Sequence, residues 1–173
     1  MEDPKDYFEQ GWVEYLRHLP EDVGHPIEVL VLRGHILIER QLNRLIELQL
    51  PNPAALELER MRFSSKVRLA EALCGHQVHE WVWIALRSLN NLRNSLAHKL
   101  DDDQLPEHAR RLIAQIRFDD PLTIQLAGAE LESQLAFSLA WLHERLLNEC
   151  INRDNAQQSV AGDVQPAARA GRT

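Results

Sequence analysis

The chain has 173 residues, 45% of them hydrophobic, and a formal net charge of −7 at pH 7. That length suits one domain with a sizeable core, and the acidity argues against a protein that grips duplexes through a broadly basic surface. No run approaches the roughly 18–20 apolar residues of a membrane span, the acidic Met1–Asp6 opening lacks a signal-peptide core, and Cys74 and Cys150 are too far apart in sequence to suggest a disulfide framework, so a cytoplasmic protein off the membrane is expected.

Asp6 to Leu19 reads as a first amphipathic helix, with Phe8, Trp12, Val13 and Leu16 inward and Pro20 as its stop. Pro26 opens a second and longest segment to about Leu48, striped by Val31, Gly34, His35, Ile38, Leu42 and Leu45 and closed by Pro51 and Pro53. Ser64 or Ser65 is suited to cap a third segment, Lys66 to Cys74, with Gly75 where a helix C-terminus favours glycine. A fourth begins at Val78 or Glu80 and runs to His98. After Asp101–Asp103, Pro106 opens a short helix ending near Ile116. Asp119-Asp120-Pro121 breaks the chain again. Leu131, Leu135, Leu139, Leu142 and Leu146 then mark a last long helix to about Asn148. From Asp154 the composition shifts to Ala, Gln, Ser, Gly and Pro without large apolar periodicity, which predicts a flexible tail over 154–173. The expected fold is an all-α bundle of five to six helices spanning residues 1–153.

The fourth segment carries the chemistry. Val82, Ala85, Leu86, Leu89, Leu92 and Leu96 recur at steps of three and four, the period of one buried face. Asn90, Arg93, Asn94 and His98 fall off that face, on a polar strip. A solvated, well-capped helix end is the plain explanation of such a strip. The chemical one is that an arginine, an amide and an imidazole close together can bind and act on a phosphodiester, whose cleavage needs a base for a hydroxyl proton and a cation for the charge growing on phosphate oxygens. An exposed histidine titrates at about 6.5, so His98 can exchange a proton near neutral pH. Arg93 stays charged and can grip two phosphate oxygens, while Asn94, about one turn before His98, can orient imidazole or phosphate. Residues five apart point about 140° apart and rise about 7.5 Å, so Arg93 and His98 converge only if the arginine reaches round or the helix loosens near Ala97.

Arg93-Asn94-Ser95-Leu96-Ala97-His98 resembles the Arg-(four to six)-His signature of HEPN domains, small all-helical proteins of prokaryotic defence and toxin–antitoxin systems. The flanking Leu89-Asn90-Asn91-Leu92 and Ala97-His98-Lys99 fit the same pattern, and the likeness covers roughly residues 26 to 148. It implies a homodimer whose motifs face one another across a cleft. It also implies a metal-independent endoribonuclease, toxic or defensive, using Arg93, His98 and Asn94 and leaving a 2′,3′-cyclic phosphate. An RNA substrate and an antitoxin or regulatory protein are the implied partners, with no cofactor. The chain is also similar to the mannitol-repressor branch, which carries the fold without established nuclease activity. That likeness implies a non-catalytic interaction module as the alternative. Toxins of this kind paired with nucleotidyltransferase antitoxins commonly carry a tyrosine two residues after the motif histidine. Leu100 stands there, which argues against that form of control.

Other residues are weaker candidates. Asn90, Lys99, His35 and Arg40 could contact substrate or partner. His35, among apolar positions, is more simply a satisfied core histidine, and Glu39 with Arg40 a solvated ion pair. Cys74, His76, His79 and Glu80 have zinc-ligand chemistry but no second ligand pair at a recognisable spacing. Asp101–Asp103 is more simply a solvated loop than a Mg²⁺ site, so no metal is expected. Trp81, Trp83 and Trp141 suit a core or an interface better than base stacking. No Gly-rich phosphate loop, Gly-x-Ser-x-Gly elbow or His-Glu-x-x-His zinc helix is present.

Overall fold

Gly34 explains how the two longest helices meet. A Cβ added there would lie 2.9 Å from Leu139 Cδ1, so the missing side chain lets the second expected helix approach the last one closely. The computed structural model describes residues 27–98, 104–117 and 128–163; the expected Asp6–Leu19 helix lies outside them. The described residues contain five α-helices and no strand: α1 Ile27–Glu47, α2 Phe63–Cys74, α3 Glu80–His98, α4 Leu105–Gln115 and α5 Leu131–Asp163. Short 3₁₀ turns at Pro53–Ala55, Leu58–Arg60 and Gly75–Gln77 fill the α1–α2 and α2–α3 connections. The all-α expectation is met, and no helix among the described residues is long and apolar enough to cross a membrane.

The stripe read from the sequence is the buried stripe. Val31, Ile38, Leu42 and Leu45 of α1 and Val82, Ala85, Leu86 and Leu89 of α3 are shut off from solvent, and they join Leu135, Leu139, Leu142 and Leu146 of α5 in one core. Trp81 and Trp83 are buried in it, and Trp141 packs on its edge while donating from Nε1 to the carbonyl of Arg117 at 3.1 Å. Helix α1 packs most extensively on α5. The cross-links Gln41–His143, Arg44–Asp154 and Leu48–Gln157 advance together along both helices, so α1 and α5 run parallel. A parallel pair cannot be joined by a tight turn, and the intervening chain forms the rest of the bundle.

Two boundaries differ from the sequence reading. Helix α2 begins at Phe63, not at Lys66, and its cap residue is Arg62, which makes no side-chain capping bond. Ser64 and Ser65 therefore lie inside the first turn and cap nothing from outside it. Gly75 does close α2, at φ 56°, a left-handed conformation that glycine adopts without strain. Helix α5 continues past Asn148 to Asp163, across the start of the expected tail. Polar contacts hold this extension where apolar period is missing: Asp154 accepts from Arg44, and Gln157 Nε2 donates to the Leu48 carbonyl at 2.6 Å.

A polar layer sits within the α1–α5 contact. Gln41 Nε2 lies 3.3 Å from His143 Nε2, and the Cys150 thiol points to the Gln41 carbonyl at 3.6 Å. Glu144 is also buried, and burial raises its carboxyl to about 7, opposed by the Asn148 amide that donates to it at 3.2 Å and by Arg145. Cys74 and Cys150 are buried free thiols, and burial pushes Cys150 up to about 12.

Candidate functional site

The polar strip of α3 opens onto a pocket of about 550 Å³ lined by Asn90, Arg93 and Asn94 from α3, His35 and Glu39 from α1, and Arg62, Phe63 and Ser64 at the start of α2. Three helices thus bring together residues scattered over sixty positions of sequence. The local reason is periodicity. Asn90 and Asn94 are four apart on one helix face, with Arg93 beside them; His35 and Glu39 repeat that spacing on α1.

Lys66 lies behind the pocket wall. It is only 1% exposed, and its Nζ donates to Glu39 Oε1 at 2.6 Å. An ammonium this deeply placed needs a partner, because an unpaired buried charge carries a desolvation cost of several kcal/mol. Glu39 supplies it and remains partly open to the pocket, at 29% side-chain exposure. Its other oxygen, Oε2, lies 3.8 Å from His35 Nδ1, close enough for electrostatic interaction and too long for a hydrogen bond. The His35 ring packs at 4.2 Å, tilted, against Phe63.

His35 is not the satisfied core histidine that its apolar neighbours suggest. It is 8% exposed, and its Nε2 is buried without a hydrogen-bond partner among the described residues. Burial holds its pKa below the ordinary value, Glu39 pulls the other way, and Arg93 and Lys66 add to the lowering. A neutral imidazole therefore faces this pocket at neutral pH. Arg93 is exposed on α3 and makes a long contact, 3.4 Å, from Nη1 to the Asn94 amide oxygen. Among the described residues, Lys66, Arg62 and Arg93 outnumber the single carboxylate of Glu39 here, a local positive excess in a chain of net charge −7.

Of the residues singled out from sequence, Asn90, Arg93, Asn94 and His35 share the pocket. Arg40 does not line it. It lines a larger cavity of about 720 Å³ along α1, with Ile36, Asn43, Arg44 and Glu59, which adjoins the first at Glu39. His98 is the last residue of α3, but its side chain, like the whole of Lys99, lies outside the described residues, as does Asp101–Asp103. Among the described residues no group of three or more His, Cys, Asp or Glu side chains is placed to hold a metal ion.

Sequence reasoning missed Lys66, Arg62, Phe63 and Ser64. The signal for Lys66 was present. Phe63, Val67, Ala70 and Cys74 form a helical stripe, and Lys66 falls on the same buried face, one turn after Phe63. Starting the helix at Lys66 hid that face by leaving Phe63 outside it. Comparison of the chain with family models, with curated proteins and with solved structures gives no match.

Proposed function

We propose that this protein is a metal-independent endoribonuclease of HEPN type, acting as a homodimer in which Arg93, Asn94 and His98 of each protomer contribute to a shared cleft. The observation that carries this reading is the convergence of Arg93 and Asn94 with Asn90, His35 and Glu39 on one pocket at the end of the motif helix. In the proposed reaction the 2′-hydroxyl oxygen attacks the adjacent phosphorus and the 5′-oxygen leaves. His98 moves the proton, and Arg93 steadies the charge on the non-bridging oxygens. The products are a 2′,3′-cyclic phosphate and a free 5′-hydroxyl, so no water enters this step.

The overall charge of −7 favours a second reading, a non-catalytic regulatory module of the mannitol-repressor type that docks on a protein partner through the same strip. One experiment separates them. Purified protein is incubated with single-stranded RNA in EDTA, beside His98→Ala and Arg93→Ala. The nuclease reading expects cleavage by wild type and a fall of about 10²–10⁴-fold on loss of the proton-transfer group. Equal background cleavage by wild type and His98→Ala over a broad RNA panel would leave the regulatory module.

A further inference from the structure

The start of α2 faces the same pocket with its electrostatics unanswered. A helix N-terminus carries N–H groups with no intrahelical acceptor and a partial positive charge. In α2 the cap residue is Arg62, which makes no side-chain capping bond, and the first turn holds no acidic residue. The amides of Ser65 and Lys66 turn back to the Arg62 carbonyl, which leaves the amides at the very start of the helix, those of Phe63 and Ser64, to be satisfied from outside. Arg62, Phe63 and Ser64 are all pocket-lining residues.

A second observation points to a ligand. His35 lines the pocket at 8% exposure with its Nε2 buried and unpartnered. Because Nδ1 stands 3.8 Å from Glu39, beyond hydrogen-bond reach, the ring hydrogen is not tied there and can sit on Nε2 as a donor. Among the described residues, the one carboxylate lining the pocket is already answered by Lys66 at 2.6 Å. What the site offers is therefore an uncapped helix start and two guanidinium groups, with the unpartnered His35 imidazole in its wall, a set that matches phosphate oxygens.

We propose that the N-terminus of α2, with Arg62, Arg93 and His35, is a phosphate-binding subsite, and that the phosphate it takes belongs to the backbone of single-stranded RNA. This rests on the ribonuclease reading for the source of the phosphate and assigns α2 the role of holding the strand beside the reacting position. Arg93 then connects the two phosphates, and Asn90 and Asn94 lie where their amides can meet a sugar or a base edge.

The test measures binding without cutting. A fluorescent decaribonucleotide with every 2′-hydroxyl methylated cannot be cleaved, and its anisotropy reads affinity at low salt. Ser64→Asp puts a carboxylate in the first turn of α2, which suits the helix dipole and keeps the fold, yet repels a phosphate. Arg68→Gln, at an exposed position of α2 outside the pocket, makes the same change in net charge. The expected result is at least tenfold weaker binding for Ser64→Asp at an unchanged or higher thermal midpoint, less than twofold for Arg68→Gln, and competition by inorganic phosphate. Equal binding by wild type and Ser64→Asp would overturn the subsite, as would an equal loss in Arg68→Gln. Binding of inorganic phosphate or adenosine monophosphate as tightly as the oligomer would overturn RNA as its source. A wild type that binds in this Ser64-sensitive manner but cuts no cleavable RNA keeps the subsite and removes the nuclease.

Discussion

Glu39 and Lys66 form an asymmetric pair: the ammonium is almost fully buried, while the carboxylate that answers it is partly open to the pocket. Loss of either partner is therefore not equivalent. Glu39→Gln strands a buried cation and is expected to cost about 3 kcal/mol or more. Lys66→Met leaves a carboxylate that water can reach and fills the same space with an apolar chain, so the cost should be less than half as large. Urea unfolding of the two variants checks the order, and a Lys66→Met loss equal to that of Glu39→Gln would contradict it.

Ser95 stands inside the motif, yet its hydroxyl lies 3.1 Å from His108 Nδ1 on α4. That bond ties the motif helix to its neighbour. Ser95→Ala should cost about 0.5–1.5 kcal/mol of stability while leaving the rate per folded molecule close to that of wild type. A tenfold fall in rate with no change in denaturation midpoint would place Ser95 in the chemistry instead.

Glu144 makes stability depend on pH. Its carboxyl is raised to about 7 in the fold by burial, whereas an unfolded chain ionises it near the ordinary glutamate value of about 4.3. Below that value both states are protonated and there is no penalty. As pH rises towards 7 the unfolded state ionises while the folded one resists, so stability falls across this window and stays lower above it. Glu144→Gln keeps an uncharged side chain of similar shape. Comparing midpoints at pH 5 and pH 8, the variant should lose less stability than wild type over that interval; parallel losses would show that Glu144 is not the group responsible.

The end of α5 contributes more than its composition suggests. Deleting residues 153–173 removes the exposed Arg44–Asp154 ion pair and the Gln157 bond to the Leu48 carbonyl, together worth about 1–2 kcal/mol. For a chain of this size that lowers the thermal midpoint by about 2–8 °C. A melting curve unchanged within about 1 °C would mean that these contacts do not persist in solution.

How much of this was legible in the sequence follows from which residues carry a period. Val31, Ile38, Leu42 and Leu45, or Val82, Ala85, Leu86 and Leu89, repeat at helical spacing and end buried, because an apolar stripe has one stable disposition. Asn90, Arg93 and Asn94 were equally visible, as polar residues off such a stripe. The end of α5 was not, since Asp154 and Gln157 are held by polar partners on α1, about a hundred positions away, that no local pattern announces. The start of α2 was misplaced for a related reason: serines commonly cap helices, but here Arg62 takes the cap position and the serines enter the first turn. The pocket itself needs α1, α2 and α3 to meet, and only tertiary packing brings His35 to Phe63.

The parallel pairing of α1 with α5 also bears on how the chain is made. Synthesis proceeds from the N-terminus, so α1 must wait for every other helix before its largest partner exists. Contacts so distant in sequence form late, after the entropic cost of closing the long intervening loop. During that delay Leu42, Leu45 and Ile46, sealed in the finished molecule, are open to other nascent chains. A fragment ending before Leu131 is therefore no miniature of the protein. Such a fragment is expected to aggregate, and its recovery should depend on supplying α5 in trans.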